Sequence, residues 1–238
     1  MSDRLSNAAS FPSKKPYYAM TDPLAQSEAS AALYDLVAVG FSYPGEQLFN
    51  ALIDGSFSAT AAANAACVEN PEQLLPAFER LVSGVQILAD TYTRDKLESE
   101  YLALFELNRA ESAVHLYGHL YVHGKRDPGP VYRHLQDIYR AFGVELKPDE
   151  PCERPDHLTV ELEFLSYLYR LLNSMLRDHE EDGIAELQQG IESFLGELVW
   201  VNQLVERLEE RSEHPFYVPL GRFLRTLMQA TRVLPGES

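Results

Sequence analysis

The sequence predicts an all-α protein, a single globular helical domain of about eight to ten helices. Apolar residues recur at three- and four-residue spacing through most of the chain, which is the period of an amphipathic helix. No Val-, Ile- or Thr-rich alternating run lies between turn signals, so no sheet is expected. No internal repeat and no Pro/Gly/Ser-rich linker divides the 238 residues. Residues 1–22 are polar and aperiodic and are predicted to be a disordered tail, which leaves residues 23–238 for the helical domain.

Turn and cap signals divide the first half of the chain into helices. Asn70 followed by Pro71 is a strong helix start, because Asn is a good N-cap and Pro fits the first turn. The Ala-rich residues 58–66 are compatible with either helix or loop. Pro- and Gly-containing turns supply the other ends. The helices predicted in this half span residues 23–41, 46–53, 70–89 and 94–105.

The second half follows the same pattern. Gly143 stands where a left-handed residue usually ends a helix. The only tryptophan, Trp200, lies in a stretch whose apolar residues repeat without a break, so one long helix is expected there. The helices predicted in this half span residues 131–142, 158 to about 177–183, 184–211 and 216–233.

The rest of the chain is organised around residues 153–165, a loop that becomes a helix. Pro155 disfavours helix for the residue before it, so the chain arrives extended. Asp156 is the predicted N-cap of the helix that begins at Leu158, and it brings its neighbour His157 to the same helix start. The two side chains are either an ordinary cap or a polar recognition point, and the residues alone leave both interpretations open.

Composition and charge restrict the function classes. The chain carries 20 Lys and Arg against 36 Asp and Glu, a net charge of −16, which disfavours nucleic acid and anionic membranes as partners. It favours basic partners, although such a balance also serves solubility. Cys67 and Cys152 form no CxxC pair and indicate a reducing compartment. No signal-peptide core and no run of about 18 apolar residues is present, so a cytoplasmic protein without a membrane span is expected.

Three histidines offer the one candidate metal site. His115, His119 and His123 are spaced i, i+4, i+8, so they share one face if the segment is helical, and such a pair or triple can bind zinc or nickel. The alternative is that they line a polar groove. No GxSxG, GxxxxGK[ST] or GxGxxG motif occurs, so no enzyme is expected. Many of the 13 tyrosines fall in the middle of the chain, as in a peptide groove, although most are expected to be core residues.

Several separated segments together resemble the TorD/DmsD/NarJ family of molybdoenzyme-specific assembly chaperones. They are Glu-Tyr-Leu-Ala-Leu-Phe at residues 100–105, Glu-Arg-Pro-Asp-His-Leu at residues 153–158, Glu-Leu-Glu-Phe-Leu at residues 161–165, and Trp200 followed by Pro-Phe-Tyr at residues 215–217. The histidine-bearing residues 115–127 look most like the nitrate reductase assembly (NarJ) branch. The resemblance covers about residues 30 to 230.

The resemblance implies a cytoplasmic, all-helical chaperone that is not an enzyme and has no cofactor of its own. Its implied partner is the apo catalytic subunit of a dimethyl sulfoxide reductase-superfamily molybdoenzyme, often bound through a twin-arginine leader until the molybdopterin cofactor is inserted. No nucleic acid and no membrane insertion is expected, and the protein is a monomer or a dimer. A metal-binding protein or metal-dependent enzyme is the alternative. The predicted client-binding residues are Tyr101, His115, Tyr117, His119, His123, Glu153, Asp156, His157 and Glu161.

Overall fold

The computed structural model describes residues 22–107, 114–122, 127–145, 153–179 and 181–232. In those residues the fold is helical, and strand-like pairing is limited to an isolated bridge between Tyr117 and His157, which confirms the predicted fold class. A π-helical turn (Leu102–Glu106) follows α5, and a 3₁₀ turn (Leu198–Trp200) follows α9. The α-helices are α1 (Pro23–Phe41), α2 (Glu46–Ile53), α3 (Ser56–Ala65), α4 (Pro71–Thr91), α5 (Arg94–Tyr101), α6 (His119–Val122), α7 (Gly129–Ala141), α8 (Leu158–Asp178), α9 (Ile184–Glu197), α10 (Val201–Arg211) and α11 (Tyr217–Ala230).

Helices α1 and α8 form the most extensive helix pair of the core. Asn173, late in α8, donates from Nδ2 to the carbonyl of Leu24 at the start of α1 over 2.9 Å. Ser166, earlier in α8, donates from Oγ to the carbonyl of Ala31, further along α1, over 3.0 Å. The two helices therefore run antiparallel. Each presents a continuous buried face, as its apolar spacing predicts.

Two buried tyrosines, one from each helix of this pair, form hydrogen bonds with the C-terminal end of α11. The Tyr34 hydroxyl of α1 lies 2.7 Å from the Thr231 hydroxyl, and the Tyr169 hydroxyl of α8 donates to the Thr231 carbonyl over 2.8 Å. The two rings stack with centroids 5.7 Å apart. Both hydroxyls are thus satisfied inside the core, which is how a buried tyrosine avoids an unpaired polar group.

Helix α4 packs closely against the segment that leads into α11. A Cβ atom added at Gly84 would lie 1.8 Å from the Pro215 carbonyl oxygen, so only glycine permits this approach. Helix α4 starts after Asn70, which is its N-cap as predicted, although the Asn70 side chain makes no capping hydrogen bond. The Asn70 amide Nδ2 donates instead to the carbonyl of Ala230 over 3.2 Å and so links α4 to α11.

Two other predictions about helices need correction or completion. Residues 184–211 are not one helix, because the backbone tightens into the 3₁₀ turn between α9 and α10. The apolar repeat continues through this turn, and the turn buries Trp200 to 2% exposure, so the sequence pattern did not reveal it. The ambiguous Ala-rich stretch is the helix α3. Within the residues that the structure describes, no helix is long and apolar enough to cross a membrane.

Candidate functional site

His157, and not Asp156, is the N-cap of α8. The His157 backbone is extended, and its side-chain Nδ1 accepts from the Thr159 backbone amide over 3.4 Å and lies 2.7 Å from the Thr159 hydroxyl. Burial lowers the pKa of His157, although Glu153 and Asp156 oppose that shift. The lowered pKa favours the neutral imidazole, which is the form in which Nδ1 can accept.

The Asp156 carboxylate is used across the fold instead of at the helix start. It is fully buried, and its Oδ2 accepts from the His119 backbone amide over 2.9 Å and lies 2.5 Å from His119 Nδ1. The prediction of Asp156 as the cap is therefore wrong, because its partners lie 37 residues earlier in the chain. The backbone joins the same two segments: Gly118 donates to the Asp156 carbonyl over 2.9 Å, and Leu158 donates to the Leu116 carbonyl over 2.7 Å.

Above this buried pair lies a half-exposed polar rim. The Tyr117 hydroxyl donates to Glu153 Oε2 over 3.0 Å, and its ring meets the His157 ring edge-on with centroids 4.9 Å apart. Arg154 donates from Nη1 to the Tyr132 hydroxyl over 3.2 Å, and its guanidinium carbon lies 5.7 Å from the Tyr117 ring centroid. Burial and the neighbouring Glu153 raise the pKa of Tyr117, so its hydroxyl remains a donor.

Tyr101 borders the site from below but is a core residue. It is 4% exposed, and its hydroxyl donates to the Phe41 carbonyl over 3.2 Å. Its ring packs on Phe105 and Tyr217 with centroids 5.0 and 5.9 Å away. Burial, followed by the charges of Glu106 and Glu153, raises its pKa. The hydroxyl is therefore committed to α1, and Tyr101 is part of the core and not of the rim.

A small pocket opens beside the rim, between α6, α7, the start of α8 and the 3₁₀ turn after α9. Its volume is about 200 Å³. Trp200 Nε1 donates to Glu161 Oε2 over 3.1 Å at its wall. Glu161 is 2% exposed, and burial, together with the nearby Asp156, raises its pKa well above its ordinary value. The pocket is lined by Gly118, Val122, Pro130, Val131, His134, Leu135, Asp156, Glu161, Glu197 and Trp200.

Of the pocket residues with polar side chains, sequence reasoning missed three as site residues: His134, Glu197 and Trp200. His134 Nε2 lies 3.0 Å from Glu197 Oε1, across two helices that are far apart in the sequence. Trp200 stood out as the single tryptophan, and a buried indole needs an acceptor for its N–H. That requirement points to a buried acid such as Glu161, but no spacing in the sequence joins the two residues.

The histidines do not share one helix face in the part that the structure describes. Helix α6 begins at His119, and residues 114–118 directly before it, including His115, are not helical. His115 exchanges backbone hydrogen bonds with the Tyr121 hydroxyl, at 3.0 and 2.9 Å. His123 lies outside the described residues. Among the described residues, no group of three or more His, Cys, Asp or Glu side chains is placed to hold a metal ion.

In the described part of the chain, the protein is all-helical, and its small pocket lies between α6, α7, the start of α8 and the 3₁₀ turn after α9. Residues 69–206 match the family model described as nitrate reductase delta subunit. The chain is 33% identical over 150 residues to a chlorate reductase assembly chaperone protein of Ideonella dechloratans, covering 60% of this chain and 72% of the relative. It is 30% identical over 151 residues to a selenate reductase assembly chaperone protein of Thauera selenatis, covering 61% and 73%.

A third relative extends the match along most of the chain. It is a dimethyl sulfide dehydrogenase assembly chaperone protein of Rhodovulum sulfidophilum, 30% identical over 221 residues, which are 90% of this chain and 80% of the relative. The chain belongs to the nitrate reductase delta subunit family, a NarJ-type family of molybdoenzyme assembly chaperones. Its members are assembly chaperones and not catalysts, which confirms both the resemblance and the expectation that this protein is not an enzyme.

Proposed function

We propose that this protein is a cytoplasmic, system-specific chaperone that binds the apo catalytic subunit of a dimethyl sulfoxide reductase-superfamily molybdoenzyme. It binds the subunit through a twin-arginine leader and assists insertion of the molybdopterin cofactor before assembly or export. The observation that carries the proposal is the acidic, aromatic rim of Tyr117 and Glu153 over buried Asp156, in a family of assembly chaperones.

Charge supports a basic partner at this rim. The chain has a net charge of −16, which raises the encounter rate with a basic peptide. Glu153 is exposed, so its carboxylate can accept charge-assisted hydrogen bonds from an arginine. The positive N-terminal end of α8 disfavours a cation at His157. The arginines of the leader therefore meet the carboxylates and not the imidazole.

Two exposed apolar side chains suit the apolar part of a leader. Val122 of α6 is 58% exposed, and Leu107, which directly follows Glu106 of the π-helical turn, is 71% exposed. An amphipathic helix that binds in a groove places its apolar face against apolar side chains. A leader with a basic head and an apolar helical stretch matches this combination of charges and apolar groups.

Binding of a synthetic leader peptide tests the proposal. The probe is a peptide with an Arg-Arg pair followed by an apolar helix-forming stretch, titrated calorimetrically. Glu153→Gln is expected to weaken binding about threefold to tenfold, because it removes one exposed charge partner. Glu79→Gln is the matched control, since Glu79 is exposed in the middle of α4, which packs against α2, α3 and α11. Equal affinities of the wild type and Glu153→Gln would contradict the rim as the contact.

The client itself is tested by co-purification. A tagged chain is used as bait in an extract of its native cells, with mass spectrometry as the readout. Recovery of a molybdopterin-enzyme catalytic subunit is expected. If such an enzyme is expressed in those cells and does not co-purify, the chaperone assignment fails.

A further inference from the structure

A second pocket, the α4/α11 pocket, lies between the start of α4, the end of α9 with its 3₁₀ turn, the start of α10 and the end of α11. Its volume is about 410 Å³, against about 200 Å³ for the pocket beside the rim. The 3₁₀ turn separates the two, because Trp200 lines the first pocket and Val199 lines the second. The α4/α11 pocket is lined by Asn70, Gln73, Leu195, Val199, Asn202, Arg225, Met228, Gln229 and Arg232.

The charge of the α4/α11 pocket is opposite to that of the chain as a whole. Two of its described lining residues are arginines and none is Asp or Glu, although the chain carries a net charge of −16. Arg232 is exposed and forms no ion pair with another described residue. Arg225 makes one long contact, 3.4 Å from Nη2 to Glu209 Oε1, whereas Arg222 lies 2.6 Å from the same oxygen. Both lining guanidinium groups therefore keep donors for an anion.

Acids around the α4/α11 pocket limit the negative charge that it can accept. Glu209 already takes part of the charge of one arginine. Burial raises the pKa of Tyr169, and the charges of Glu192 and Glu69 raise it further. The Tyr169 hydroxyl donates to the carbonyl directly before Arg232, so both acids lie near this end of the pocket. They would repel a dianion such as phosphate, whereas one arginine can balance a single carboxylate.

The remaining side chains of the α4/α11 pocket suit a peptide better than a free anion. Four of them are carboxamides, and each carries donors and an acceptor that can pair with peptide C=O and N–H groups. Two of these, Gln73 and Gln229, are exposed. Leu195 and Met228 are buried and form an apolar floor, and Val199 is 61% exposed. The pocket thus offers an anion partner, backbone partners and apolar contacts together.

We propose that the α4/α11 pocket binds one carboxylate of an acidic peptide segment of a partner protein, with Arg232 as its main cationic partner. An apolar neighbour of that carboxylate packs on Val199 and Met228. A guanidinium fits a carboxylate because its planar fork can donate two parallel hydrogen bonds. The carboxylate is an Asp or Glu side chain or a chain terminus, which present the same two oxygens. This contact goes beyond the proposed function, whose leader is basic, and does not depend on leader recognition.

Met228 supplies a reporter for the α4/α11 pocket. The chain has only four Met, so ¹³C-methyl labelling gives few signals, and Met228→Leu assigns the one that matters. The probes are acetyl-Ser-Leu-Glu-Leu-Ser-amide, the same peptide with Gln in place of Glu, the Gln peptide with a free C-terminal carboxylate, and inorganic phosphate. Each is titrated into the full chain.

The Glu peptide is expected to shift the Met228 signal saturably and to bind about threefold to tenfold more tightly than the amidated Gln peptide. This preference should shrink as NaCl is raised from about 0.05 M to about 0.3 M. The Gln peptide with a free terminus shows whether a chain end can replace the acidic side chain. Equal affinities of the Glu peptide and both Gln peptides would overturn the proposal. A shift by phosphate at lower concentration than by the Glu peptide would do so too.

Arg232→Gln tests the cationic partner in a double-mutant cycle with the two amidated peptides. The preference for Glu over Gln is expected to fall below about twofold in this variant, because the charge that distinguishes the two peptides is gone. If Arg232→Gln weakens both peptides by the same factor, the arginine does not contact the carboxylate and the proposal is overturned.

Charges introduced at Val199 provide a second test that leaves the core intact, since this side chain is exposed. Val199→Asp is expected to weaken the Glu peptide about threefold or more, and Val199→Lys to strengthen it. Ile87→Asp is the matched control and should match the wild type. Ile87 is 51% exposed and, at 1.5 Å per residue, lies about 20 Å further along α4 than Gln73. If both Val199 variants keep the wild-type affinity, the carboxylate does not bind in this pocket.

Discussion

Replacing Glu161 by glutamine should change how the stability of the protein depends on pH. Glu161 is 2% exposed, and burial, with Asp156 as a second cause, raises its folded-state pKa well above the ordinary 4.5. Below pH 4.5 both the folded and the unfolded chain keep this proton. Between 4.5 and the folded pKa only the unfolded chain releases it, so the wild type loses stability as pH rises. The loss is about 1.4 kcal/mol for each pH unit in that window.

Glutamine has no proton to lose and still offers Trp200 an acceptor. The free energy of unfolding of Glu161→Gln, minus that of the wild type, should therefore increase by about 1.4 kcal/mol per pH unit above pH 5 and level off above the folded pKa. Urea unfolding at pH 5, 6, 7 and 8, followed by far-UV circular dichroism, measures it. Circular dichroism is preferred because the mutation alters the surroundings of Trp200. Glu79→Gln should run parallel to the wild type, and a parallel curve for Glu161→Gln would refute the raised pKa.

Two further changes test the packing and a helix cap. Gly84→Ala should lower the free energy of unfolding by about 3 kcal/mol or more, because its new Cβ would lie 1.8 Å from the Pro215 carbonyl oxygen. The control Gly45→Ala, whose Cβ would have nothing within 4 Å, should change it by no more than about 1 kcal/mol, and urea unfolding measures both. His214 accepts at Nδ1 from the Tyr217 amide at the start of α11, and burial lowers its pKa to about 4. The folded protein therefore keeps His214 neutral, whereas the unfolded chain takes up a proton below pH 6.5. The free energy of unfolding of the wild type should fall by about 1.4 kcal/mol per pH unit from pH 6.5 down to 4, and His214→Asn should remove this slope. If the wild type and His214→Asn lose stability equally steeply toward acid pH in urea unfolding, the lowered pKa of His214 is refuted.

Helix positions were predictable wherever one apolar face stayed buried. The spacing in α1 and α8 gave their locations because each packs one face on the other. The break after α9 was not predictable, since its apolar repeat continues through the 3₁₀ turn that buries Trp200. The N-cap of α8 was missed for a different reason. Local cap rules favour Asp156, but a partner 37 residues away, His119, takes its carboxylate.

The candidate site was likewise predictable only in part. Tyr117, Glu153 and His157 were among the predicted client-binding residues, and in the structure Tyr117 contacts the other two. The pocket could not be predicted, because its residues come from segments up to 82 positions apart, from Gly118 to Trp200. Gly118 shows the dependence on tertiary packing: a Cβ there would lie 2.9 Å from the Trp200 indole nitrogen. No motif or spacing in the sequence predicts that Gly118 and Trp200 are in contact.

Helix α8 contributes to both the core and the candidate site, so the site is as rigid as the core. Its first turn holds the buried Glu161, and the buried Asp156 directly precedes its N-cap, while the rest of the helix packs on α1. The carboxylates at the start of α8 cannot change orientation without disturbing the packing of α8 on α1. If the protein binds a leader as proposed, the leader must adapt to the chaperone, and the conformational entropy lost on binding falls mostly on the peptide. Sequences that already favour helix after their basic head should bind more tightly than equally apolar sequences that do not.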